Sequence, residues 1–188
     1  MRLFLAIHLS SEIKTAASNT IELLKKTNAN VSWIKPENMH ITLKFLGDTD
    51  KSRVKGIAPL LNEVAETSRS YKIITGKLGA FPSKEDPKVV WLGLSAGIVE
   101  TIDLSKKIDE ALFKAAFKRE EKPFNPHITI GRVKGGVNHN NLAAALNTTI
   151  FQPDEQQITG FTLVKSELAP EGVVYKDLET FQLAVIKP

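Results

Sequence analysis

The sequence predicts an α+β fold whose sheets are antiparallel. Short strands alternate with amphipathic helices in a mixed order, and strand patterns twice fall side by side with only a turn between them. A repeated octapeptide adds the expectation of two pseudo-symmetric sheet lobes, flanked by helices, around a central groove. No long linker or low-complexity tract divides the 188 residues, so 1–188 is expected to be a single bilobal domain.

In chain order, Leu3–Ile7 reads as the first strand. Its apolar stretch is too short, and too soon interrupted by His8, for a signal peptide. Ser10 and Ser11 can cap a helix with apolar residues at Ile13, Ala16, Ala17, Ile21 and Leu24, which is helical spacing. Val31–Trp33 and Ile41–Leu46 read as strands around a Pro36-Glu37-Asn38 turn. Val54, Ile57, Ala58, Leu61 and Val64 mark a second helix. Tyr71–Leu78 and Lys88–Leu94 follow as strands, separated by the turn-rich stretch Pro82–Pro87. Leu104, Ile108, Leu112, Ala115 and Ala116 mark a third helix. A strand over His127–Val133, a helix near Asn140–Leu146 and strands near Ile158–Ser166 and Phe181–Ile186 complete the pattern.

Composition excludes several classes. With 42% hydrophobic and 24% charged residues the chain is an ordinary globular protein and not a disordered one. It has no Cys, which removes disulfides, thiolate nucleophiles and Cys-built zinc sites, and suits a reducing cytoplasm. No apolar run approaches the ~18 residues of a membrane helix, so no membrane partner is expected. The net charge of +4 is too mild to identify a nucleic-acid binder, but residues 1–94 carry 14 basic and 9 acidic side chains, hence +5. A basic half suits a phosphate-bearing ligand.

Self-comparison gives the sharpest signal. Residues 35–42 read Lys-Pro-Glu-Asn-Met-His-Ile-Thr and residues 122–129 read Lys-Pro-Phe-Asn-Pro-His-Ile-Thr. The octapeptides agree at six positions, a coincidence on the order of a few per cent given average residue usage. Two of only four histidines occupy the same place in both copies. Residues two apart in a strand share a face, so His40 points with Thr42, and His127 with Thr129. Two such strands related by a pseudo-two-fold axis would line one groove with two imidazoles and two hydroxyls, their apolar faces entering the cores of two lobes. Imidazole titrates near neutrality, so one His can take a proton while the other gives one. In-line displacement at phosphorus needs that division, and a hydroxyl beside each His can bind the non-bridging oxygens. A strained cyclic phosphodiester could be opened this way without a metal. His8 and His139 lack a matched partner and are read as structural or solvated.

These residues resemble the two-histidine phosphoesterases, marked by two His-x-Thr/Ser-x tetrapeptides, here His40-Ile41-Thr42-Leu43 and His127-Ile128-Thr129-Ile130. More narrowly the chain resembles the LigT-like RNA 2′,3′-cyclic phosphodiesterases. Arg2-Leu3-Phe4, Trp33 to Asn38, Lys44-Phe45-Leu46-Gly47, Phe81-Pro82, Val90-Trp91-Leu92-Gly93 and Pro126 to Arg132 follow the family pattern. So do Ser166-Glu167-Leu168, Gly172, Tyr175, Leu178 and Phe181, and the likeness spans nearly the whole chain. The resemblance implies hydrolysis of an RNA-terminal 2′,3′-cyclic phosphate to a 2′-phosphate, with reversible 2′-5′ ligation of RNA ends as a side activity. By position, it implies that His127 accepts the proton of water and His40 donates one to the departing 3′ oxygen. Thr42 and Thr129 would hold the phosphate, while Phe45 and Arg132 would sandwich the terminal base. Each of these last two stands five residues after its His, so strict alternation would face it away. Either both strands bulge or end in that interval, or the two side chains reach around an edge. Trp33, Trp91, Phe4 and Phe81 are read as core residues.

Competing motifs are weaker. Gly93-Leu94-Ser95-Ala96-Gly97 matches G-x-S-x-G between a strand and a helix, and Asp103 or Asp109 then His127 follow in serine-hydrolase order. That reading needs a large parallel sheet and leaves the repeat unexplained. A non-catalytic RNA-binding module would use the basic half and Phe45 but has no need of both histidines. A metal phosphodiesterase wants clustered ligands, and neither His-x-His nor His-Glu-x-x-His occurs. Without a Walker A loop or a dinucleotide Gly signature, no cofactor is expected. The expectation is therefore a monomeric cytoplasmic enzyme, with no metal, acting on RNA that ends in a 2′,3′-cyclic phosphate.

Overall fold

The computed structural model describes residues 1–170 and 172–185. Its elements, in chain order, are β1 (Arg2–His8), α1 (Ser11–Lys25), β2 (Val31–Trp33), β3 (His40–Asp48), α2 (Lys51–Glu66), β4 (Tyr71–Pro82) and β5 (Pro87–Ala96). They continue with α3 (Ile98–Lys114), β6 (His127–Val133), α4 (His139–Thr148), β7 (Glu155–Ile158), β8 (Gly160–Ala169) and β9 (Gly172–Gln182), and a short 3-10 turn at Pro36–Asn38 precedes β3.

Local chemistry sets most boundaries. Ser10 caps α1, its hydroxyl accepting from the Ile13 N–H. Gly97, at φ 76°, makes the left-handed step from β5 into α3. The periodicity carried α3 through Ala116, but the helix ends at Lys114 and Ala116 turns to φ 60°. The Arg53 guanidinium on α2 donates to the Ala115 and Ala116 carbonyls at 2.9 and 3.2 Å, satisfying groups that a helix end leaves open.

The strands form an antiparallel sheet in the order β7-β4-β5-β6-β3-β1-β8-β9, with β2 paired to β6. The α+β antiparallel expectation holds. One lobe is β3, β1, β8 and β9, with α3 against β3 and α2 touching β9. The other is β2, β4, β5, β6 and β7, with α4 on β4 and β5 and α1 beside α4. The lobes interleave along the chain, so they are not its two sequence halves. Their junction is a single residue pair, Ile41 with Ile128. Beyond it β2 takes the free edge of β6, at Val31–Val133 through Trp33–Gly131, and β3 splays away. Helices cover one sheet face and leave the opposite face of the junction open as a groove.

The inward residues of both lobes form one contiguous cluster, from Leu3, Leu5 and Ile41 through Ile128, Ile130, Val90 and Leu92 to the apolar stripes of all four helices. The sheet is continuous through Ile41 and Ile128, so its two apolar faces abut. The final strands also differ from the pattern reading, which placed one near Phe181–Ile186. β9 starts at Gly172, and Ile186 lies outside the described residues. Most of β9 is exposed, Val173, Val174 and Leu178 included, so it carries little of the buried alternation by which a strand is recognised. No helix among the described residues is long and apolar enough to cross a membrane.

Candidate active site

With Ile41 opposite Ile128 in an antiparallel pair, His40 falls opposite Thr129 and Thr42 opposite His127. Ile41 and Ile128 are buried in the core, so all four polar side chains share the other face. The structure thus brings together the four residues of the repeated motif. Diagonal neighbours in a regular ladder have Cα atoms roughly 7–8 Å apart, which leaves room for a phosphate between the imidazoles.

Each imidazole is oriented by the same device. The His40 Nδ1–H donates to the Asn38 carbonyl at 2.8 Å, and the His127 Nδ1–H donates to the Asn125 carbonyl at 2.8 Å. A carbonyl only accepts, so Nδ1 carries the proton and Nε2 faces the groove as the exchanging atom. The acceptor in both copies is a main-chain carbonyl two residues before the His, so the device rests on a shared backbone path and not on the Asn side chains. Thr42 Oγ1 lies 3.0 Å from His40 Nε2 and donates to it while the ring is neutral.

The rings sit between aromatic side chains, of which Phe4, Phe81 and Trp91 are expected in the core. Phe4 lies 4.9 Å from His40 and Tyr175 stands edge-on at 5.3 Å. Phe81 stands edge-on to His127 at 5.2 Å, with Trp91 at 6.5 Å. Phe4 is buried, but in a separate cluster with Ala6, Val164 and Tyr175 on the groove side. Phe4 is thus buried as expected, whereas Phe81 and Trp91 are only partly buried and lie beside His127, placed by period-two alternation across neighbouring strands. Trp33 does pack on the main core.

His40 is half-buried, and its pKa is lowered from 6.5 to about 4. Burial is the largest cause, and the charges of His8, His127 and Lys14 act in the same direction against the Asn38 hydrogen bond. In the ligand-free protein this imidazole is neutral at pH 7. His8 is not merely solvated: it pairs with His40 across β1 and β3 and bonds Asp177 at 3.0 Å. Both line a cleft of about 370 Å³ with Phe4, Lys14 and Tyr175. His139 lies 3.3 Å from Asp86 at the start of α4.

Phe45 and Arg132 reach the groove because both strands bulge at the same place. In β3 the register passes from Ala6–Thr42 to Leu5–Lys44, so Leu43 is an extra residue. In β6 it passes from Trp91–Thr129 to Val90–Gly131, so Ile130 is the extra residue. A bulge resets the alternation and returns the second residue after it to the histidine face. Phe45 is 63% exposed and Arg132 is exposed. Phe45 lies 6.1 Å from Phe4, and the Arg132 charge is felt by Tyr175. Each bulge uses its carbonyl. The Ser105 hydroxyl donates to Leu43 O at 2.8 Å, and the Ile34 N–H donates to Ile130 O at 2.9 Å.

No serine-hydrolase triad assembles. The Ser95 hydroxyl donates to the Ile74 carbonyl at 3.3 Å, Asp103 pairs with Lys107 and Asp109 with Lys44. Among the described residues no three His, Asp or Glu side chains converge as a metal site.

This arrangement agrees with comparisons to known proteins. The model of the LigT like Phosphoesterase family matches residues 7–91 and 93–175, one stretch for each copy of the repeat. An RNA 2′,3′-cyclic phosphodiesterase of Methanothermobacter thermautotrophicus is 33% identical, over 97% of this chain and 99% of its own. One of Thermotoga maritima is 37% identical, over 95% and 93%. Among solved structures, TT0787 of Thermus thermophilus matches with a TM-score of 0.80 at 25% identity over the whole of both chains. Escherichia coli LigT matches with 0.77 at 24% identity over 97% and 96%. A two-histidine groove built on a repeated, identically bulged strand, and a family match over both repeats, make this chain a member of the LigT-like phosphoesterases.

Proposed function

We propose that the chain hydrolyses RNA-terminal 2′,3′-cyclic phosphate to a 2′-phosphate, without a metal, through an acid–base pair of His40 and His127. The observation that carries this reading is the square of His40, Thr129, Thr42 and His127 on one open face. Relatives named RNA 2′,3′-cyclic phosphodiesterase, matched over nearly their full length, support the substrate class.

His127 Nε2 takes a proton from water as its oxygen attacks phosphorus. The P–O3′ bond breaks, and His40 Nε2–H gives its proton to the departing 3′ oxygen, leaving a 2′-phosphate and a 3′ hydroxyl. Thr42 and Thr129 donate to the non-bridging oxygens, where charge builds. Phe45 and Arg132 hold the terminal base between them. A 5′ hydroxyl of RNA in place of water would give a 2′-5′ linkage by the same steps. Each lobe contributes one His and one Thr, so residues 1–188 act as one catalytic unit. The reading is of a monomer working in the cytoplasm with its RNA substrate.

The depressed pKa of His40 favours a second assignment, with His40 as base and His127 as acid. Under the first assignment the anionic phosphate restores the proton to His40 on binding. A cyclic substrate with sulfur at the 3′ bridging position separates them, because a thiolate departs without a proton. It rescues the variant lacking the acid and not the one lacking the base.

The activity itself is tested with an oligonucleotide ending in 2′,3′-cyclic phosphate, given with chelator to the wild type and to His40→Ala and His127→Ala. Release of 2′-phosphate by the wild type and its loss in both variants is expected. No release by the wild type, or unchanged release by either variant, would sink the reading.

A further inference from the structure

The histidine face of the second lobe continues beyond the site. Across β6, β5 and β4 the register sets His127 beside Gly93 and Lys77, and Thr129 beside Trp91 and Gly79. A methyl on Gly79 would come within 2.3 Å of the Trp91 ring, and one on Gly93 within 2.9 Å. The indole therefore lies over a floor of two glycines, between the His127 ring and an outer cavity of about 510 Å³.

That cavity is lined by Gly76, Lys77, Gly79, Lys84, Trp91 and Ile150, among others, and no acidic side chain among the described residues lines it. Lys77 is exposed, and Ile150 is 80% exposed. The Lys84 ammonium is held at the rim by one hydrogen bond, to the Leu146 carbonyl at 2.9 Å, leaving further donors for a ligand. An aromatic wall with two cations matches a nucleotide, whose base offers a flat apolar face and whose phosphate offers charge. The size falls within the range of small-ligand sites. β4 lies two strand spacings, ~10 Å, from β6, a reach suited to the next unit of a chain whose end is held at His127.

We propose that this cavity is a second nucleotide subsite, taking the residue on the 5′ side of the cyclic-phosphate terminus. Its base contacts Trp91 and Ile150, and its phosphate contacts Lys77 and Lys84. The inference rests on the activity proposed above and adds to it a preference for RNA chains over single nucleotides.

The test compares kcat/KM for a dinucleotide ending in 2′,3′-cyclic phosphate with that for a mononucleoside 2′,3′-cyclic phosphate. The ratio is read for each variant, so the folded fraction cancels. The wild type is expected to prefer the dinucleotide by about 10- to 100-fold, the scale of one base–aromatic contact. Lys77→Gln with Lys84→Gln should bring the ratio to within about 3-fold of unity, and Ile150→Asp, at an exposed position, should lower it as well. Lys107→Gln, on α3, should retain the wild-type ratio and so exclude a general charge effect. A wild-type ratio near one, or a ratio that survives all the cavity substitutions, would overturn the subsite. If the mononucleoside is hydrolysed and the ratio is one, the subsite alone fails. If neither compound is hydrolysed, the proposed activity fails with it.

Discussion

Ile41 stands directly opposite Ile128, and through this pair β3 joins β6. Both side chains are buried, so the flanking residues His40, Thr42, His127 and Thr129 all face the groove. A one-residue slip of either strand would turn its His into the core, and the buried isoleucines hold the register against that slip. Either His→Ala change should lower kcat by several powers of ten. The double variant should lose little more, because the two groups serve one step. Thr42→Ala and Thr129→Ala, which remove donors to the developing charge, should each cost about 10- to 1000-fold. Single-turnover rates on the cyclic-phosphate oligonucleotide check all five proteins, and fully additive His effects would show that the two do not act together.

The low pKa of His40 has consequences for rate and stability. The pair is active with one proton on it, so kcat/KM should fall on the acid side as His40 gains a second proton, near pH 4. For stability, the unfolded chain takes a proton on this His as pH falls through 6.5, while the folded chain resists until about 4. Folding is therefore favoured above pH 6.5, and that advantage is lost between 6.5 and 4. Because the ring is only partly buried, its share is at most about 3 kcal/mol. Urea midpoints of the wild type and His40→Gln at pH 7 and pH 4 measure it. The variant should lose less stability over that interval, and equal losses would refute the assignment.

Lys44 follows the bulge in β3 and points inward, where it is 4% exposed. Its ammonium bonds Asp109 at 2.6 Å and the Lys118 carbonyl at 2.8 Å, tying the first motif strand to α3 and the segment after it. Removing Asp109 leaves this buried ammonium only the Lys118 carbonyl and, at 4.0 Å, the exposed Glu120 carboxylate. Asp109→Ala should therefore destabilise by about 3–5 kcal/mol, and the double change Lys44→Met with Asp109→Leu by clearly less. Denaturant unfolding of the three proteins decides it. If the double variant is no more stable than Asp109→Ala, the cost is not that of an unpaired charge.

How much of this was legible in the sequence depended on the kind of signal. Val31–Trp33 and His127–Val133 coincide with their strands because alternation and turn residues bound them sharply. The histidine and threonine set was legible because the repeat writes it twice. The bulges were legible only as one alternative among strand end, bulge and edge, because the extra residue is an ordinary Leu or Ile whose carbonyl is satisfied by Ser105 or Ile34, far off in the chain. For a similar reason Phe81 and Trp91 read as core. An apolar ring looks alike on either sheet face until register is known, and β9, mostly solvent-exposed, offered no hydrophobic pattern to locate it.

Gly131 is the position in the second copy that Lys44 occupies in the first, and it shows why the two bulges carry different residues. A methyl there would come within 2.8 Å of both the Val31 and the Trp33 side chain, because Trp33 of β2 pairs with Gly131 of β6 at this point. Gly131→Ala must push β2 outward, at a cost of about 1–3 kcal/mol, and it moves the neighbouring Arg132 on the groove face. If Arg132 holds the terminal base, the substitution should raise KM about 10-fold while leaving kcat within a factor of about two, as uniform binding energy is lost. Arg132→Gln should do the same, and the two combined should add little. A fall in kcat with KM unchanged would instead mean that the shift reaches His127, and that Arg132 takes no part in holding the base.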